Sequence, residues 1–232
     1  MAPPLSVGFL VFNGLTQLDL AGPFEVFGRV PGAKVELLGE SRAPVRSDTG
    51  LNLHPDRAVE GATGFDVLCV PGGPGVTEAI RNERLIRFLA TEGPKAKYLT
   101  SVCTGALLLG AAGLLQGKRA TTHWLSLELL SLVGATPVRE RVVRDGNLFT
   151  GGGVTAGIDL GLTVAAELCG AEEAKAIALL IEYNPASPFP EAGSPVTAPA
   201  AITKRLTEER EGAQTKRASA LKEVFPLWQT QR

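Results

Sequence analysis

Cys103 stands where the apolar run Tyr98-Leu99-Thr100-Ser101-Val102 meets the small, apolar stretch from Gly105 to Ala112. A short strand that turns abruptly into a helix holds the residue between them on a sharp bend, exposed above the helix N-terminus. The positive end of the helix dipole favours a thiolate, which is the nucleophilic form of cysteine. Cys103 is therefore the candidate nucleophile. The competing readings are a buried structural thiol and a redox-sensing cysteine.

A nucleophile of this kind needs a proton partner. Asp19 follows the first apolar run, at or just before a helix whose first turn Pro23 suits. It can serve as acid and base, or simply cap that helix and satisfy loop amides. An ionised Asp19 next to Cys103 raises the thiol pKa, whereas a protonated Asp19 donates to the thiolate and lowers it; a pair sharing one proton titrates as a unit. Pro71-Gly72-Gly73-Pro74-Gly75 closes another apolar run, and glycines there can leave backbone amides free to face a ligand. A plain turn is the alternative, and without a Gly-Lys-Ser/Thr ending it is no phosphate loop. The chain has two histidines, His54 in a region of short extended pieces and His123 at the end of a short strand. The first is expected at the surface; the second is expected in a structural role, with a catalytic role at the site as the alternative. Cys69 and Cys169 fall in apolar segments and are expected in the core.

The elements that must position these groups follow from the pattern of apolar runs. Strands are expected at Leu5 to Phe12, Lys34 to Gly39, Phe65 to Val70 and Tyr98 to Val102, with a small β excursion from Val45 to Leu53. Helices are expected at Val76 to Glu92, Ala106 to Ala112, Leu125 to Val133, Val154 to Cys169 and Ala171 to Tyr183. A short strand at Ala120 to Thr122 precedes His123, and Asp145-Gly146-Asn147 signals a hairpin between Pro137 and Phe149. Alternating strands and helices imply an α/β architecture with a mostly parallel sheet between helical layers. Ligands in such sheets bind at the carboxyl ends of the strands, where Asp19, the Pro-Gly-Gly loop and Cys103 all fall. From Asn184 a proline-rich loop intervenes, and Ala200 to Val224 offers a mixed-charge helix. The expected organisation is one domain over residues 1–195 and a helical extension over residues 196–232.

Composition bounds the remaining possibilities. The 232 residues are 44% hydrophobic and 20% charged with a formal charge of -1, which gives no bulk attraction to nucleic acid or anionic membrane. Three cysteines without a Cys-x-x-Cys pair argue against a disulfide framework or zinc ribbon. With no signal-like N-terminus and no long apolar span, a cytoplasmic location is expected, with a small-molecule substrate and neither nucleic acid nor membrane as partner.

Asp19-Leu20-Ala21-Gly22-Pro23, Ser101-Val102-Cys103-Thr104-Gly105, Ala120-Thr121-Thr122-His123-Trp124 and the segment Gly151 to Asp159 together resemble the ThiJ/PfpI branch of the class I glutamine-amidotransferase-like superfamily. So do Ile181-Glu182-Tyr183-Asn184-Pro185, Pro188-Phe189 and Gly193-Ser194-Pro195. Within the branch the resemblance is closest to the isonitrile hydratases, and the motifs are shared with the ligand-sensing domain of AraC-type regulators. The resemblance implies a flavodoxin-like three-layer sandwich with a nucleophile elbow, a homodimer, and no cofactor. It also implies hydration of an isonitrile to an N-substituted formamide. Cys103 would be the nucleophile, Asp19 the acid/base and Thr104 a hydrogen-bonding partner. Gly72 or Gly73, with the Thr104 amide, would bind the substrate as an anion pocket. Thr104 occupies the position where peptidase-like members carry a histidine, which disfavours a Cys-His hydrolase. Two rivals stand beside this: a ligand sensor without its DNA-binding part, and a glyoxalase-like cofactor-free enzyme.

Overall fold

The computed structural model describes residues 4–229. In chain order the elements are β1 (Leu5–Leu10), α1 (Gln17–Phe27), β2 (Ala33–Gly39), β3 (Val45–Arg46), β4 (Asn52–Leu53), β5 (Arg57–Ala58) and β6 (Val67–Val70). There follow α2 (Val76–Arg81), α3 (Glu83–Glu92), β7 (Tyr98–Val102), α4 (Gly105–Ala111), β8 (Arg119–Ala120), a 3-10 helix (Trp124–Val133) and β9 (Thr136–Pro137). The chain closes with β10 (Val142–Asp145), β11 (Leu148–Gly151), α5 (Ala156–Cys169), α6 (Ala171–Leu180) and α7 (Ala200–Gln229).

The strands that are apolar throughout lie at the centre of the molecule, as burial on both faces requires. The main sheet has the order β10-β11-β7-β6-β1-β2-β5. All its pairs are parallel except β10 with β11, the hairpin around Gly146. Helices α1, α5 and α6 pack together as one group, and α2, α3, α4, α7 and the 3-10 helix as another. This is the expected α/β sandwich with a mostly parallel central sheet. Phe9, Phe27 and Phe149 are among the largest fully buried side chains. The remaining two pairs, β3 with β4 and β8 with β9, are small separate sheets.

Chain order reverses beside β1: β2 pairs on one side and β6 on the other. At such a switch point the loops leaving neighbouring strands diverge and open a crevice. Here the β1–α1 and β6–α2 loops are joined by backbone bonds, Thr16 N to Gly72 O at 2.9 Å and Gly75 N to Gly14 O at 2.9 Å. Gly73 makes the junction possible. Its φ is +131°, and a Cβ there would sit 2.5 Å from both Gly14 O and Thr16 N.

Three local expectations change. Pro23 lies inside α1 rather than in its first turn, because the helix already starts at Gln17. It therefore has no N–H to offer the Asp19 carbonyl. The expected helix from Val76 to Glu92 is two helices, broken at an extended Asn82 whose side chain caps α3 by accepting from Arg84 N and Leu85 N. Leu125 to Val133 winds as 3-10 rather than α-helix, within Trp124–Val133.

Candidate active site

Cys103 has a φ of +55°, a left-handed conformation that non-glycine residues seldom adopt, at the turn between β7 and α4. Its N–H donates to Gly151 O at 3.0 Å, and its carbonyl accepts from Thr122 Oγ1 at 2.6 Å. Both backbone groups are thus held, which maintains the strained turn. The elbow expected from the sequence is present, but the sulfur is not exposed: Cys103 is 5% accessible.

Asp19 comes from the first turn of α1 and is 0% accessible. Its Oδ2 accepts from Gly72 N at 3.0 Å. Its Oδ1 has no hydrogen-bond partner among the described residues. Burial raises the carboxyl pKa to about 7, against the lowering effect of the Gly72 amide and of Cys103; the Asp48 charge adds to the rise. Cys103 is also pushed up from its ordinary value, first by burial and then by the Asp19 charge, with the Thr104 amide opposing. Each group therefore shifts the other's titration, although Asp19 Oδ1 forms no completed hydrogen bond to the thiol. Burial overrides the dipole argument made from the elbow alone: in the unliganded site the thiol is the favoured form.

Thr104, immediately after the cysteine, faces the glycine loop. Its Oγ1 accepts from Gly73 N at 2.9 Å and lies 3.3 Å from Gly73 O, to which it can donate. The Gly72 and Gly73 amides, expected to face substrate, are thus already committed to Asp19 and Thr104. They hold the reactive side chains in place, and only Gly73 reaches the cavity wall.

That cavity has a volume of about 240 Å³ and is lined by Cys103, Thr104, Gly73, Pro74, Thr16, Asp48, His123, Leu125 and Val154. Asp19 is not part of the wall; it is buried close enough to Cys103 for each to shift the other's titration. His123 accepts from Leu125 N at 3.4 Å through Nδ1, and burial, helped by Arg217 and Arg210, lowers its pKa to about 4. It is a neutral residue that lines the cavity with Cys103 and caps the 3-10 helix. His54 is exposed, as expected. Cys69 is fully buried and pushed up to about 12 by burial, whereas Cys169 is only half-buried, its thiol donating to Ala165 O. A cleft of about 570 Å³ beside Val59 and Phe88 is larger but holds no cysteine or histidine.

The rest of the wall was missed in the sequence. Arg210, Ala213, Gln214 and Arg217 of α7 close the cavity over Cys103. Helix α7 therefore packs on α2, α4 and the 3-10 helix and completes the site. The spacing 210, 213/214, 217 is one helix face. The same face continues into the buried apolar residues Ala220, Leu221 and Val224, but over the cavity it carries Arg210, Gln214 and Arg217 among residues of both charge signs. Other motif residues turn out to brace the fold. Asp159 accepts from Arg141 Nε and Tyr183 Oη, each at 2.8 Å, tying α5 to β10 and to the turn after α6.

A doubly wound parallel sheet with an elbow cysteine at its carboxyl edge, close to a buried carboxyl, defines a class. The chain belongs to the DJ-1/PfpI family, whose family model matches residues 5–167. It is 53% identical over 198 residues to isonitrile hydratase from Pseudomonas putida, covering 85% of this chain and 86% of that protein. It is 30% identical over 191 residues to the transcriptional regulator GbdR of Pseudomonas aeruginosa, covering 78% of this chain and 51% of the regulator. Its fold matches the crystal structure of a ThiJ/PfpI family protein from Pseudomonas syringae with a TM-score of 0.91 at 41% identity, over 94% of this chain and 90% of that one. Among the described residues, no helix is long and apolar enough to cross a membrane.

Proposed function

We propose that this protein hydrates isonitriles to N-substituted formamides, using Cys103 as nucleophile and Asp19 as the single acid/base. The observation that carries the reading is the buried Asp19 carboxyl, coupled to Cys103, with a pKa near 7 and one oxygen unpartnered. A group poised there gives and takes protons with similar ease at neutral pH. The Pseudomonas putida relative supplies the substrate class.

The reaction runs on one proton. The Cys103 thiol passes its proton to ionised Asp19, and the pair reacts as thiolate and protonated Asp19. The thiolate attacks the terminal carbon of R-NC, forming the C–S bond. That carbon takes the Asp19 proton, leaving a thioimidate, R-N=CH-S-Cys103, and an ionised Asp19. Water then adds to the same carbon as Asp19 accepts a proton from it, and that proton passes to nitrogen. The C–S bond breaks, Asp19 takes the hydroxyl proton, and R-NH-CHO leaves. Thiolate and protonated Asp19 are regenerated, so one water is consumed per turn. Thr104 keeps the Gly73 loop against the elbow and offers the hydroxyl nearest the reacting atoms. The account includes a homodimer in the cytoplasm and no cofactor; sedimentation equilibrium tests the first of these.

The test is direct. Purified protein is offered a panel of small alkyl and aryl isonitriles, with a 2-oxoaldehyde as the rival substrate, and products are separated by chromatography. Formamide formation is the expected result. Conversion of the 2-oxoaldehyde alone supports the glyoxalase-like rival, and saturable binding without product supports a sensor.

A further inference from the structure

Arg217 is a cavity residue that the mechanism above does not use. It is 9% accessible, yet its Nε has no hydrogen-bond partner among the described residues. Its other nitrogens make only long contacts with neutral groups, Nη1 to Ser126 Oγ at 3.4 Å and Nη2 to Gly73 O at 3.5 Å. Among the described residues no carboxylate lies within ion-pair distance of it. A buried charge without a counter-ion is costly, and guanidinium groups retained in such places ordinarily meet an anion. The neighbours orient it: Ser126 Oγ donates to Gln214 Oε1 at 2.7 Å, so Gln214, one turn away on the same face, helps fix the Ser126 that Arg217 contacts. Arg210, two turns before, adds a second positive charge to the cavity wall. The only carboxylate in the wall is Asp48, which already accepts from Thr16 Oγ1 at 2.8 Å. The mouth of the cavity is therefore net positive opposite Cys103.

We propose that Arg217, supported by Arg210, is a carboxylate-binding subsite, and that the preferred substrates are small isonitriles bearing a carboxylate. This rests on the hydratase reading for the word isonitrile, but not for the word carboxylate. The planar guanidinium can take a carboxylate through two parallel N–H donors, which an unpartnered Nε and a weakly held Nη leave available. The cavity volume of about 240 Å³ suits a small-molecule substrate.

Two measurements separate the subsite from the reaction. The first compares kcat/KM for isocyanoacetate with that for its neutral methyl ester. The wild type is expected to favour the anion by about tenfold or more, chiefly through KM, the size of one charge-assisted pair. Arg217→Gln should bring the ratio close to one, and Arg217→Lys should keep part of it. The second needs no turnover. Alkylation of Cys103 by iodoacetate and by iodoacetamide is followed on the Cys103 peptide by mass spectrometry, each rate divided by that of a free thiol. The wild type should favour iodoacetate, and Arg217→Gln should lose that preference. If neither isonitrile is converted but the alkylation preference holds, the subsite stands and the hydratase reading falls. If Arg217→Gln slows both alkylating agents equally, Arg217 serves the sulfur and the subsite proposal is overturned. An absence of any iodoacetate preference in the wild type overturns it equally, whether or not the variants fold.

Discussion

The Gly72 amide donates to Asp19 Oδ2 at 3.0 Å, and this one bond joins the loop after β6 to the first turn of α1 close to Cys103. It satisfies one carboxyl oxygen and leaves the other bare in a fully buried place. Such a carboxyl resists ionisation, which has consequences for both stability and rate.

For stability the sign is set by the raised pKa. Asp19 titrates near 3.8 when unfolded and about 7 when folded. Its protonated form is favoured in the fold, so its contribution is fully present below about pH 4 and is lost as pH rises toward 7 and beyond. Asp19→Asn keeps an acceptor for Gly72 and cannot ionise. At pH 8 the variant should be more stable than the wild type by about 2–4 kcal/mol, a difference that shrinks to near zero at pH 4. Urea unfolding at the two pH values measures this. Equal stabilities at pH 8 would show that burial does not penalise the ionised Asp19 carboxyl.

For rate, the singly protonated pair is the reactive form. As kcat/KM is followed upward in pH, it should rise with an apparent midpoint near 7 to a plateau. Asp19→Asn should remove that limb and lower the plateau by at least 10²-fold, in the range typical of a lost general acid/base. A midpoint unchanged in Asp19→Asn would assign the titration to another group. His123, neutral down to about pH 4, is not expected to contribute a limb in this range.

Thr104→Val tests the link between the elbow and the glycine loop. It removes the oxygen that accepts from Gly73 N and leaves that buried amide unpaired, at about 1–3 kcal/mol of stability. The loop carries the amide that holds Asp19, so turnover should also fall, by roughly 10-fold or more, since each 1.4 kcal/mol of lost positioning is a factor of ten. Thr104→Ser, which keeps the hydroxyl, should recover most of both. Failure of the serine variant to recover activity would show that the methyl group, not the hydroxyl, matters.

Some of this site is legible in sequence for clear physical reasons. A strand that ends in a cysteine and runs into a glycine-led helix can form little but a tight elbow. An apolar alternation of strands and helices sends Asp19, Gly73 and Cys103 to one sheet edge. What sequence does not reveal is the balance of forces once they are together. The elbow argues for an exposed thiolate, but packing buries the sulfur and desolvation favours the thiol. Glycine amides that look free are taken up by Asp19 and Thr104. Arg217 was hidden because an arginine in a mixed-charge helix reads as solvated, whereas its face, which continues into Ala220, Leu221 and Val224, packs inward on α2, α4 and the 3-10 helix. The break at Asn82 was missed because apolar residues continue in helical spacing across it.

The central claim is that Cys103 bonds to the isonitrile carbon. Initial rates of formamide formation by the wild type and by Cys103→Ala, with Cys69→Ala as a control for loss of a buried thiol, test it most directly. The account predicts that Cys103→Ala folds with the same circular dichroism spectrum and forms no formamide above the uncatalysed rate, while Cys69→Ala, once folded, still turns over. Formamide production by Cys103→Ala at the wild-type rate would contradict it.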